Sequence, residues 1–447
     1  MSAIARVLLA EGVRVTGSDL QESAVIDDLR RAGATVFIGH RPEYVEGADE
    51  VVLSTAIPPD NPEAVAAKRL GIPVRHRSEA LADLLNARQG VAVAGAHGKT
   101  TVTAMIAWTL HQAGESITFL IGGVLPGLGG AQAGAGPVVV AEADESDRSF
   151  LRYRPHIAVV TSVEPDHLEH YENSFAKLQD AYRRFLEQVK EGGARVLCVD
   201  DPVLREMAAD FAREGRAVTY GLQPDGRPEF TAVDIECRGL GSTFRVVRSG
   251  RSIAAGRLAV PGRHNVQNAL ACIAVADLLG VEIDVALGAL ASYRGARRRF
   301  EVVSDENGVM IVDDYAHHPT EIQSVLRACR AGFADRRLIA VFQPHRYSRT
   351  VQLMEAFAAA FSGADVVVVM DVYAPPPEEP IPGVTGERLA ERVRARTAAP
   401  VYYAPGLDDA ATLVRELMRE GDIVVTMGAG DVWKVARTLA GRDAARL

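Results

Sequence analysis

The feature that most constrains the fold is an apolar run that passes through a glycine turn into a helical pattern. The run is Val91 to Ala94, and it continues as Gly95-Ala-His-Gly98-Lys99-Thr-Thr. A strand, a tight glycine turn and a helix in this order predict a βαβ unit of a parallel sheet. Other short apolar runs alternate with helical stretches along the chain. The sequence therefore predicts an α/β protein built on parallel sheets.

Length, composition and charge narrow the class of protein. The chain of 447 residues, 48% hydrophobic and 24% charged, has the composition of a globular protein and the length of about three domains. Its formal net charge of −9 argues against nucleic acid as a partner. The four cysteines are far apart and form no metal-binding pattern. No apolar run approaches the roughly 20 residues of a membrane span. We expect a cytoplasmic protein with reduced thiols and no membrane insertion.

The pattern of strands and helices places two domain boundaries. The first region reads as a helix around Ile4 to Leu8, a strand from Val13 to Thr16, and further alternating elements up to Ala87. The basic loop from Arg294 to Glu301 marks the second boundary. The predicted domains are residues 1–87, 88–293 and 294–447.

The central region departs from simple alternation in two stretches. Residues 216–260 carry alternating apolar positions, which predicts an antiparallel excursion. Residues 122–136 are rich in glycine and alanine and are interpreted as a loop.

The glycine turn has the residue types of a phosphate-binding loop. Glycines let backbone N–H groups approach phosphate oxygens, and the helix N-terminus adds partial positive charge. Lys99 is placed to reach the terminal phosphates, and Thr100 to hold Mg²⁺. The loop has two residues between its glycines where the common pattern has four, and an ordinary strand-to-helix turn is the alternative. The predicted ligand is ATP, bound by Gly95, Ala96, His97, Gly98, Lys99, Thr100 and Thr101.

Acidic clusters follow two predicted strands near this loop. Glu142-Ala-Asp-Glu-Ser-Asp147 comes after the strand Val138 to Ala141, and Glu164-Pro-Asp-His167 comes after the strand Ile157 to Val163. If these strands neighbour the phosphate loop, their polar ends meet at the carboxyl edge of the sheet. Carboxylate oxygens suit Mg²⁺. The alternative is that each cluster is a solvated loop.

Several motifs occur along the chain in a recognisable order. They are Gly95-Ala-His-Gly-Lys-Thr100, Glu142-Ala-Asp-Glu-Ser-Asp147, Glu164-Pro-Asp-His167, Pro261-Gly-Arg-His-Asn265 with Asn268, Arg298-Arg-Phe300, Asp313-Asp-Tyr-Ala-His-His-Pro-Thr-Glu321 and Gln343-Pro-His-Arg-Tyr-Ser-Arg349. With these motifs the chain resembles the Mur ligases over nearly its whole length. Taken singly, the later motifs have simpler readings: helix caps for the asparagines, a solvated loop for the arginines, and a turn for the histidine pair.

The resemblance implies a fold and a reaction. It implies a Rossmann-like domain for a UDP-sugar, a central phosphate-loop ATPase-like domain and a C-terminal Rossmann-like domain that carries an amino acid. The implied reaction activates a substrate carboxylate with ATP as an acyl phosphate, which an amine then attacks. The motifs most resemble the branch of the family that joins L-alanine to UDP-N-acetylmuramate in peptidoglycan precursor synthesis. We expect a monomer or homodimer that requires ATP and Mg²⁺.

The resemblance also implies roles for individual residues. Metal ligands are expected at Thr100, Glu142 and His167. Further ATP contacts are expected at Asn268, Arg299 and Asp314. UDP-sugar contacts are expected at Ser18, Asp19 and Ser54, and amino acid contacts at His345, Arg346 and Arg349. The catalytic set implied is Lys99, His167, His317, Arg346 and Arg349.

Two features leave alternatives open. The printed sequence starts at Met1-Ser-Ala-Ile4, where the family has a strand and a Gly-x-Gly-Gly-x-Gly loop, so we expect that this first strand is missing and that upstream codons encode it. A recycling ligase that adds a preformed peptide to UDP-N-acetylmuramate shares the same motifs. Folylpolyglutamate synthase is a more distant alternative, and a nucleotide-dependent regulator without acyl transfer is an alternative from another class.

Overall fold

The fold is described from a computed structural model, and the structure describes residues 1–375 and 378–442. The described chain divides into two compact units. One comprises Met1–Val233, Arg245–Ala255 and Gln267–Leu290, and the other comprises Asp234–Phe244, Gly256–Val266 and the chain from Ala291 onward. The boundaries of the three predicted domains stay a prediction.

The N-terminal region of the first unit contains short strands and helices in alternation. They are α1 (Ser2–Ala10), β1 (Thr16–Asp19), α2 (Ala24–Arg31), β2 (Thr35–Ile38), β3 (Val51–Leu53), α3 (Pro62–Leu70), β4 (Val74–His76) and α4 (Arg77–Asn86). Strand β1 pairs with β2 and β3 with β4, both in parallel. The prediction of a strand from Val13 to Thr16 is wrong, because Val13 is exposed and the strand begins only at Thr16.

The central region of the chain builds the largest sheet. Its elements are β5 (Gln89–Ala94), α5 (Lys99–Gln112), β6 (Thr118–Leu125), β7 (Gly129–Gln132), β8 (Val138–Glu142), β9 (Ile157–Val160), α6 (Phe175–Glu187), β10 (Ala194–Cys198), α7 (Pro202–Glu214), β11 (Ala217–Tyr220), β12 (Phe230–Arg238), β13 (Gly241–Arg248), β14 (Arg251–Leu258), α8 (Arg263–Leu278) and α9 (Ile283–Ser292). The strand order is β14-β13-β12-β11-β10-β9-β5-β8-β6-β7.

Strand β5 lies between β8 and β9 and runs parallel to both. Its residues from Gly90 to Ala94 are all buried, as expected for a parallel strand covered on both faces. The three strands therefore end at the same edge of the sheet. This confirms the expectation that the acidic clusters follow neighbours of the phosphate-loop strand, although β9 ends at Val160 and not at Val163.

Two predictions for the central region need correction. The glycine-rich stretch 122–136 is not only a loop, since it contains the end of β6 and all of β7, which pair in antiparallel fashion. In the stretch 216–260, β11 pairs in parallel with β10, so it belongs to the main sheet. Beyond β11, the strands β12, β13 and β14 are sheet neighbours joined by two-residue links, which requires antiparallel hairpins as predicted.

The C-terminal part of the second unit is another α/β layer structure. Its elements are β15 (Glu301–Glu306), β16 (Val309–Asp314), α10 (Pro319–Gly332), β17 (Leu338–Phe342), α11 (Tyr347–Gln352), α12 (Met354–Ala358), β18 (Val366–Val369), α13 (Gly386–Arg394), β19 (Val401–Tyr403), α14 (Leu407–Leu417), β20 (Ile423–Met427) and α15 (Trp433–Leu439). The strand order is β15-β16-β20-β17-β18-β19.

Apolar side chains cover both faces of this second sheet. One face packs a cluster that includes Phe342, Phe357 and Phe361, and the other packs a cluster that includes Ile339 and Val424. Strands β16, β20, β17, β18 and β19 are parallel, so their polar ends also collect at one edge. Within the described part of the chain, no helix has both the length and the apolar character needed to cross a membrane.

Candidate active site

The phosphate loop is held in place by the segment that follows β9. The Ala96 N–H donates to the Ser162 carbonyl at 2.9 Å, and the His97 N–H donates to Ser162 Oγ at 3.1 Å. Gly95 has a φ of +132°, and a Cβ at this position would collide with the Thr161 side chain. A side chain is therefore excluded at Gly95 by both backbone conformation and space.

Lys99 begins α5, and its amine folds back over the loop. Lys99 Nζ donates to the Gly95 carbonyl and lies 2.9 Å and 2.8 Å from the two carboxylate oxygens of Glu145. Burial acts to lower the pKa of Lys99, but the attraction and hydrogen bonds of Glu145 outweigh burial and raise that pKa above its usual value. Lys99 is therefore a permanently charged group at a helix N-terminus, where unpaired backbone N–H groups favour anions.

Two oxygen ligands suited to Mg²⁺ meet beside the loop. The Thr100 hydroxyl donates to Glu142 Oε2 at 3.2 Å, and Glu142 Oε1 accepts from the Gly122 N–H at 2.6 Å. A hydroxyl and a carboxylate are donors that Mg²⁺ accepts, so this pair fits the metal. His167 lies on the loop after β9, with its ring nitrogens 3.5 Å from Asp166 and 3.7 Å from Glu169. The structure thus brings Thr100 and Glu142 together and places His167 with other carboxylates.

Asn268 lies on α8 against the phosphate loop. A Cβ built on Gly98, whose φ is +83°, would be 2.9 Å from Asn268 Oδ1. The side chain of Asn268 therefore lies against the loop, and its role as an ATP contact stays a prediction. The simpler reading of Asn268 as a helix cap is wrong, since it lies inside α8.

The second unit carries its own group of predicted site residues at the carboxyl edge of its sheet. Strand β16 ends in Asp313 and Asp314. Arg298 Nε lies 3.0 Å from Asp313 Oδ2, and Arg298 Nη2 donates to the Gly428 carbonyl at 2.6 Å. The reading of the arginine segment as a solvated loop is therefore wrong for Arg298, whose partner Asp313 is buried.

Asp314 is engaged by the backbone. Its Oδ2 accepts from the Phe300 N–H at 2.7 Å and its Oδ1 from the Ala316 N–H at 2.8 Å. Burial raises the pKa of Asp314 to about 6, although the nearby Arg299 opposes this. Arg299 stacks on Tyr315 with 5.1 Å between its guanidinium carbon and the ring centre. Asp314 thus holds together the two segments that carry Arg299 and Tyr315.

Two histidines of this group are half-buried, and both have lowered pKa values. His317 Nδ1 lies 3.0 Å from the Tyr315 carbonyl and 3.3 Å from Glu321 Oε2, and burial lowers the pKa of His317 to about 4. His345 stacks against Tyr373 at 5.8 Å between ring centres. Burial, with the charges of nearby His317 and Arg349, lowers the pKa of His345 to about 3.

Two arginines face these histidines. Arg346 precedes α11 with a φ of +69°, and its N–H donates to the Tyr373 carbonyl at 2.9 Å. Arg349 lies on α11, is buried, and is close enough to His317 and His345 to depress both their pKa values. Arginines beside neutral imidazoles make this group electropositive, which suits a carboxylate or phosphate.

The predicted UDP-sugar residues lie in the N-terminal region. Ser18, near the end of β1, has its hydroxyl 2.7 Å from Glu63 Oε1 and 3.0 Å from the Nδ1 atom of His40. Asp19 accepts the Gln21 N–H at 3.2 Å, and Ser54 directly follows β3 with a half-buried side chain. Ser18 is therefore part of a small polar cluster with His40 and Glu63.

Sequence reasoning missed several partners of these residues. Glu145 belongs to a cluster predicted to bind metal, whereas in the structure it forms an ion pair with Lys99. Glu321 lies in the first turn of α10, three residues after the N-cap His318, and an acidic residue at this position could have indicated a contact with the segment before the helix. Tyr373, His40 and Glu63 come from distant parts of the chain, and nothing in the sequence pattern pointed to them.

A phosphate loop at the carboxyl edge of a parallel sheet defines an α/β nucleotide-binding protein. Family models refine this class. The "Mur ligase family, catalytic domain" matches residues 1–89, the "Mur ligase middle domain" matches residues 93–276 and the "Mur ligase, glutamate ligase domain" matches residues 298–430. The chain is also 49% identical over 445 residues to the UDP-N-acetylmuramate–L-alanine ligase of Symbiobacterium thermophilum, a match that covers 98% of this chain and 92% of the relative. The chain belongs to the Mur ligase family.

Solved structures resemble the whole fold. The UDP-N-acetylmuramate-alanine ligase of Thermotoga maritima has a TM-score of 0.83 and 30% identity, and the match covers 99% of this chain and 96% of that one. A murein peptide ligase of Psychrobacter arcticus has a TM-score of 0.68 and 26% identity, with the same coverage of 99% and 96%. The predicted three-domain α/β architecture of this family is confirmed by these matches.

Proposed function

We propose that this protein is an ATP-dependent ligase that joins L-alanine to the carboxylate of UDP-N-acetylmuramate in peptidoglycan precursor synthesis. The observation that carries the proposal is the half-buried Lys99 at the N-terminus of α5, held 2.8 Å from the buried Glu145 at the loop where ATP phosphates would bind. The 49% identity to a UDP-N-acetylmuramate–L-alanine ligase over nearly the whole chain supports the choice of substrates.

The reaction proceeds in two transfers. A carboxylate oxygen of UDP-N-acetylmuramate attacks the γ-phosphorus of ATP, the bond to the β–γ bridging oxygen breaks, and ADP leaves. The amine of L-alanine then attacks the acyl carbon, the bond to the phosphate oxygen breaks, and the amine loses a proton as inorganic phosphate departs. Both reactants of the first transfer are anionic, so positive charge at the phosphates lowers the barrier.

The residues of the central region supply this charge and its placement. The loop from Gly95 to Thr101 would cradle the phosphates with backbone N–H groups, and Lys99 would exchange Glu145 for phosphate oxygens. Thr100 and Glu142 would hold one Mg²⁺, and His167 would help to hold a second near the carboxylate. Mg²⁺ supplies charge stabilisation for the transferring phosphoryl group. Asn268 would contact the adenine nucleotide beside Gly98.

The predicted contacts on the second unit are a further part of the proposal. Arg299 is proposed to meet the phosphates and Asp314 the ribose, with the Asp314 carboxylate also fixing the backbone around Arg299. His317 and His345 are neutral at pH 7, so they act as neutral hydrogen-bonding groups. Arg346 or Arg349 would receive the carboxylate of L-alanine. At the other substrate, Ser18, Asp19 and Ser54 are proposed to contact the UDP-sugar.

The recycling activity, in which a preformed peptide is the amine donor, is not favoured. The murein peptide ligase matches less well than the alanine ligase in both TM-score and identity. A regulator without acyl transfer is not favoured either, because simple nucleotide binding would not require the histidine and arginine group of the second unit.

The compartment and assembly are further parts of the proposal. All four cysteines are free, and Cys198, Cys272 and Cys329 are buried, which agrees with a reducing compartment. We place the enzyme in the cytoplasm, acting as a monomer or homodimer.

The test is ADP release with ATP, Mg²⁺ and UDP-N-acetylmuramate, in the presence of a panel of amino acids and of the tripeptide L-Ala-γ-D-Glu-meso-diaminopimelate. L-Alanine is expected to give the fastest rate and a product that carries one alanine residue by mass spectrometry. Faster turnover with the peptide would replace the proposal by the recycling activity, and ATP binding without ADP release under all conditions would favour the regulator.

A variant separates chemistry from folding in this assay. Lys99→Met alone leaves the Glu145 carboxylate buried without its partner, so the double variant Lys99→Met/Glu145→Gln is the better test. It should keep the native circular dichroism and lose at least about 100-fold in turnover. Lys68→Met, at an exposed position of α3, is the matched control and should keep full activity.

A further inference from the structure

A polar cavity lies beside α4 in the first unit. It has a volume of about 760 Å³ and is lined by α4 and by the segments that precede β9 and β10. None of the residues that line the cavity is among those proposed for the active site. The cavity is therefore not part of the proposed active site.

The charges around this cavity are not balanced. Arg75, Arg152, Arg154 and Lys190 line it together with the carboxylates of Glu79 and Asp83. Arg152 lies 2.6 Å from Glu79, and Arg75 lies 2.6 Å from Asp83, so these carboxylates are already paired. Arg154 and Lys190 make no ion pair among the residues that the structure describes. Two positive charges at the cavity are therefore available to a ligand.

Neutral backbone and amide groups are the hydrogen-bond partners of Lys190 and Arg154. Lys190 Nζ donates to the carbonyls of Asn86 and Arg88, the second at 3.1 Å. The Arg154 backbone N–H donates to Asn86 Oδ1 at 2.6 Å, and its exposed guanidinium has no hydrogen-bond partner among the described residues. Carbonyl partners leave the Lys190 charge uncancelled, so both cations can act on an anion in the cavity.

We propose that this cavity binds a small phosphorylated sugar. A guanidinium and an ammonium in one cavity suit a phosphate group, and the carboxylate oxygens of Glu79 and Asp83 can accept hydrogen bonds from sugar hydroxyls. None of the residues that line the cavity is aromatic, so it offers no ring on which a nucleotide base could stack. The volume lies within the range of about 300–1,000 Å³ typical of small-molecule sites and exceeds the needs of inorganic phosphate.

The test is calorimetric titration of the full chain with glucose 6-phosphate, inorganic phosphate and glucose, in the presence of saturating ADP and Mg²⁺ to occupy the phosphate loop. Glucose 6-phosphate should bind with millimolar or better affinity, at least about tenfold more tightly than either inorganic phosphate or glucose. Equal affinity for glucose 6-phosphate and inorganic phosphate would overturn the assignment to a sugar phosphate. No binding of any probe at millimolar concentration would overturn the site.

A variant pair locates the binding. Arg154→Gln removes an unpaired charge without breaking an ion pair, so the variant should fold, keep its turnover, and bind glucose 6-phosphate at least about tenfold more weakly. Arg69→Gln is the matched control, since Arg69 is also exposed but lies outside the cavity, and it should bind as the unaltered protein does. Equal loss in both variants, or no loss in Arg154→Gln, would place the bound anion elsewhere and refute the proposal.

Discussion

Lys99 Nζ lies 2.8 Å from Glu145 Oε2, and the side chain of Glu145 is only 5% exposed. The lysine that the phosphate loop offers to ATP is therefore neutralised by a carboxylate of the same protein. Nucleotide binding at this loop has to exchange one partner of Lys99 for another. The ion pair therefore affects both the stability of the nucleotide-free protein and its affinity for phosphate.

Removing the charge of Glu145 should make the protein less stable and more responsive to nucleotide. Glu145→Gln breaks a buried ion pair, which costs about 3 kcal/mol when one partner is lost, so the melting temperature without nucleotide should fall by several degrees. A nonhydrolysable ATP analogue with Mg²⁺ should raise the melting temperature more in this variant than in the unaltered protein, because the phosphates replace the lost carboxylate. Glu187→Gln, at an exposed position of α6, is the control. Equal nucleotide-induced shifts in all three proteins would show that ATP does not engage Lys99.

A side chain at Gly98 should weaken ATP binding because it would collide with Asn268. The same substitution at Gly114 is the control for backbone strain. Gly98 and Gly114 have nearly the same φ, +83° and +86°, but a Cβ meets Asn268 Oδ1 at 2.9 Å only at Gly98 and open space at Gly114. In both alanine variants the positive φ destabilises the folded protein by about 1 kcal/mol. Gly98→Ala should also lose at least about tenfold in ATP affinity, measured by calorimetry, while Gly114→Ala should bind ATP normally. Similar ATP affinities for the two variants would remove Asn268 and the Gly98 contact from the nucleotide site.

The strands that sequence reasoning predicted well are those buried on both faces. Strands β5, β8 and β20 are continuous apolar runs, and such runs indicate central parallel strands without any knowledge of their neighbours. The stretch from Val13 to Val15 has two valines, but Val13 and Arg14 are exposed and the stretch stays outside β1. Strand β7 contains two glycines, and a residue without a side chain adds nothing to a hydrophobic pattern.

Motifs predicted which residues belong to the site but not what each one touches. The sequence places Glu145 among possible metal ligands, yet its partner depends on β5 and β8 being neighbours, which the pattern cannot show. Asp314 was expected to contact ribose, and this role stays a prediction. The structure shows that both of its oxygens accept backbone N–H groups, at Phe300 and Ala316. Backbone donors of this kind leave no trace in a sequence.

The proposed metal ligands should change the Mg²⁺ requirement of the reaction. Glu142→Gln removes a charged oxygen ligand and His167→Ala a nitrogen ligand. Since even indirect changes at metal sites commonly cost tenfold or more in affinity, each variant should need at least about tenfold more Mg²⁺ for half-maximal ADP release. His170→Ala is the control for His167, because His170 lies nearby with a side chain 51% exposed. An unchanged Mg²⁺ requirement in both variants would show that these residues do not bind the metal and belong to solvated loops.

Acid should destabilise the second unit through the half-buried His317. The pKa of His317 falls from an ordinary 6.5 to about 4, because burial disfavours the imidazolium. The unfolded chain therefore binds a proton at His317 between these pH values and the folded chain does not. This contribution to stability is complete above pH 6.5 and is lost as the pH falls toward 4. The linkage relation gives a loss of about 2 kcal/mol at pH 5 for this residue. The raised pKa of Asp314, about 6, has the opposite sign, since its contribution is lost as the pH rises through 6.

Two histidine variants separate the contribution of His317 to acid sensitivity from that of Asp314. His317→Gln cannot take up a proton, so its melting temperature should fall less between pH 7.5 and pH 5 than that of the unaltered protein. The effect of Asp314 is present in both proteins and cancels to first order. His170→Gln removes an exposed histidine and should show the same acid sensitivity as the unaltered protein. Differential scanning calorimetry at the two pH values measures all three proteins. If His317→Gln loses as many degrees as the unaltered protein, His317 is not held neutral by burial, and the proposed neutral imidazole at the amino acid site is wrong.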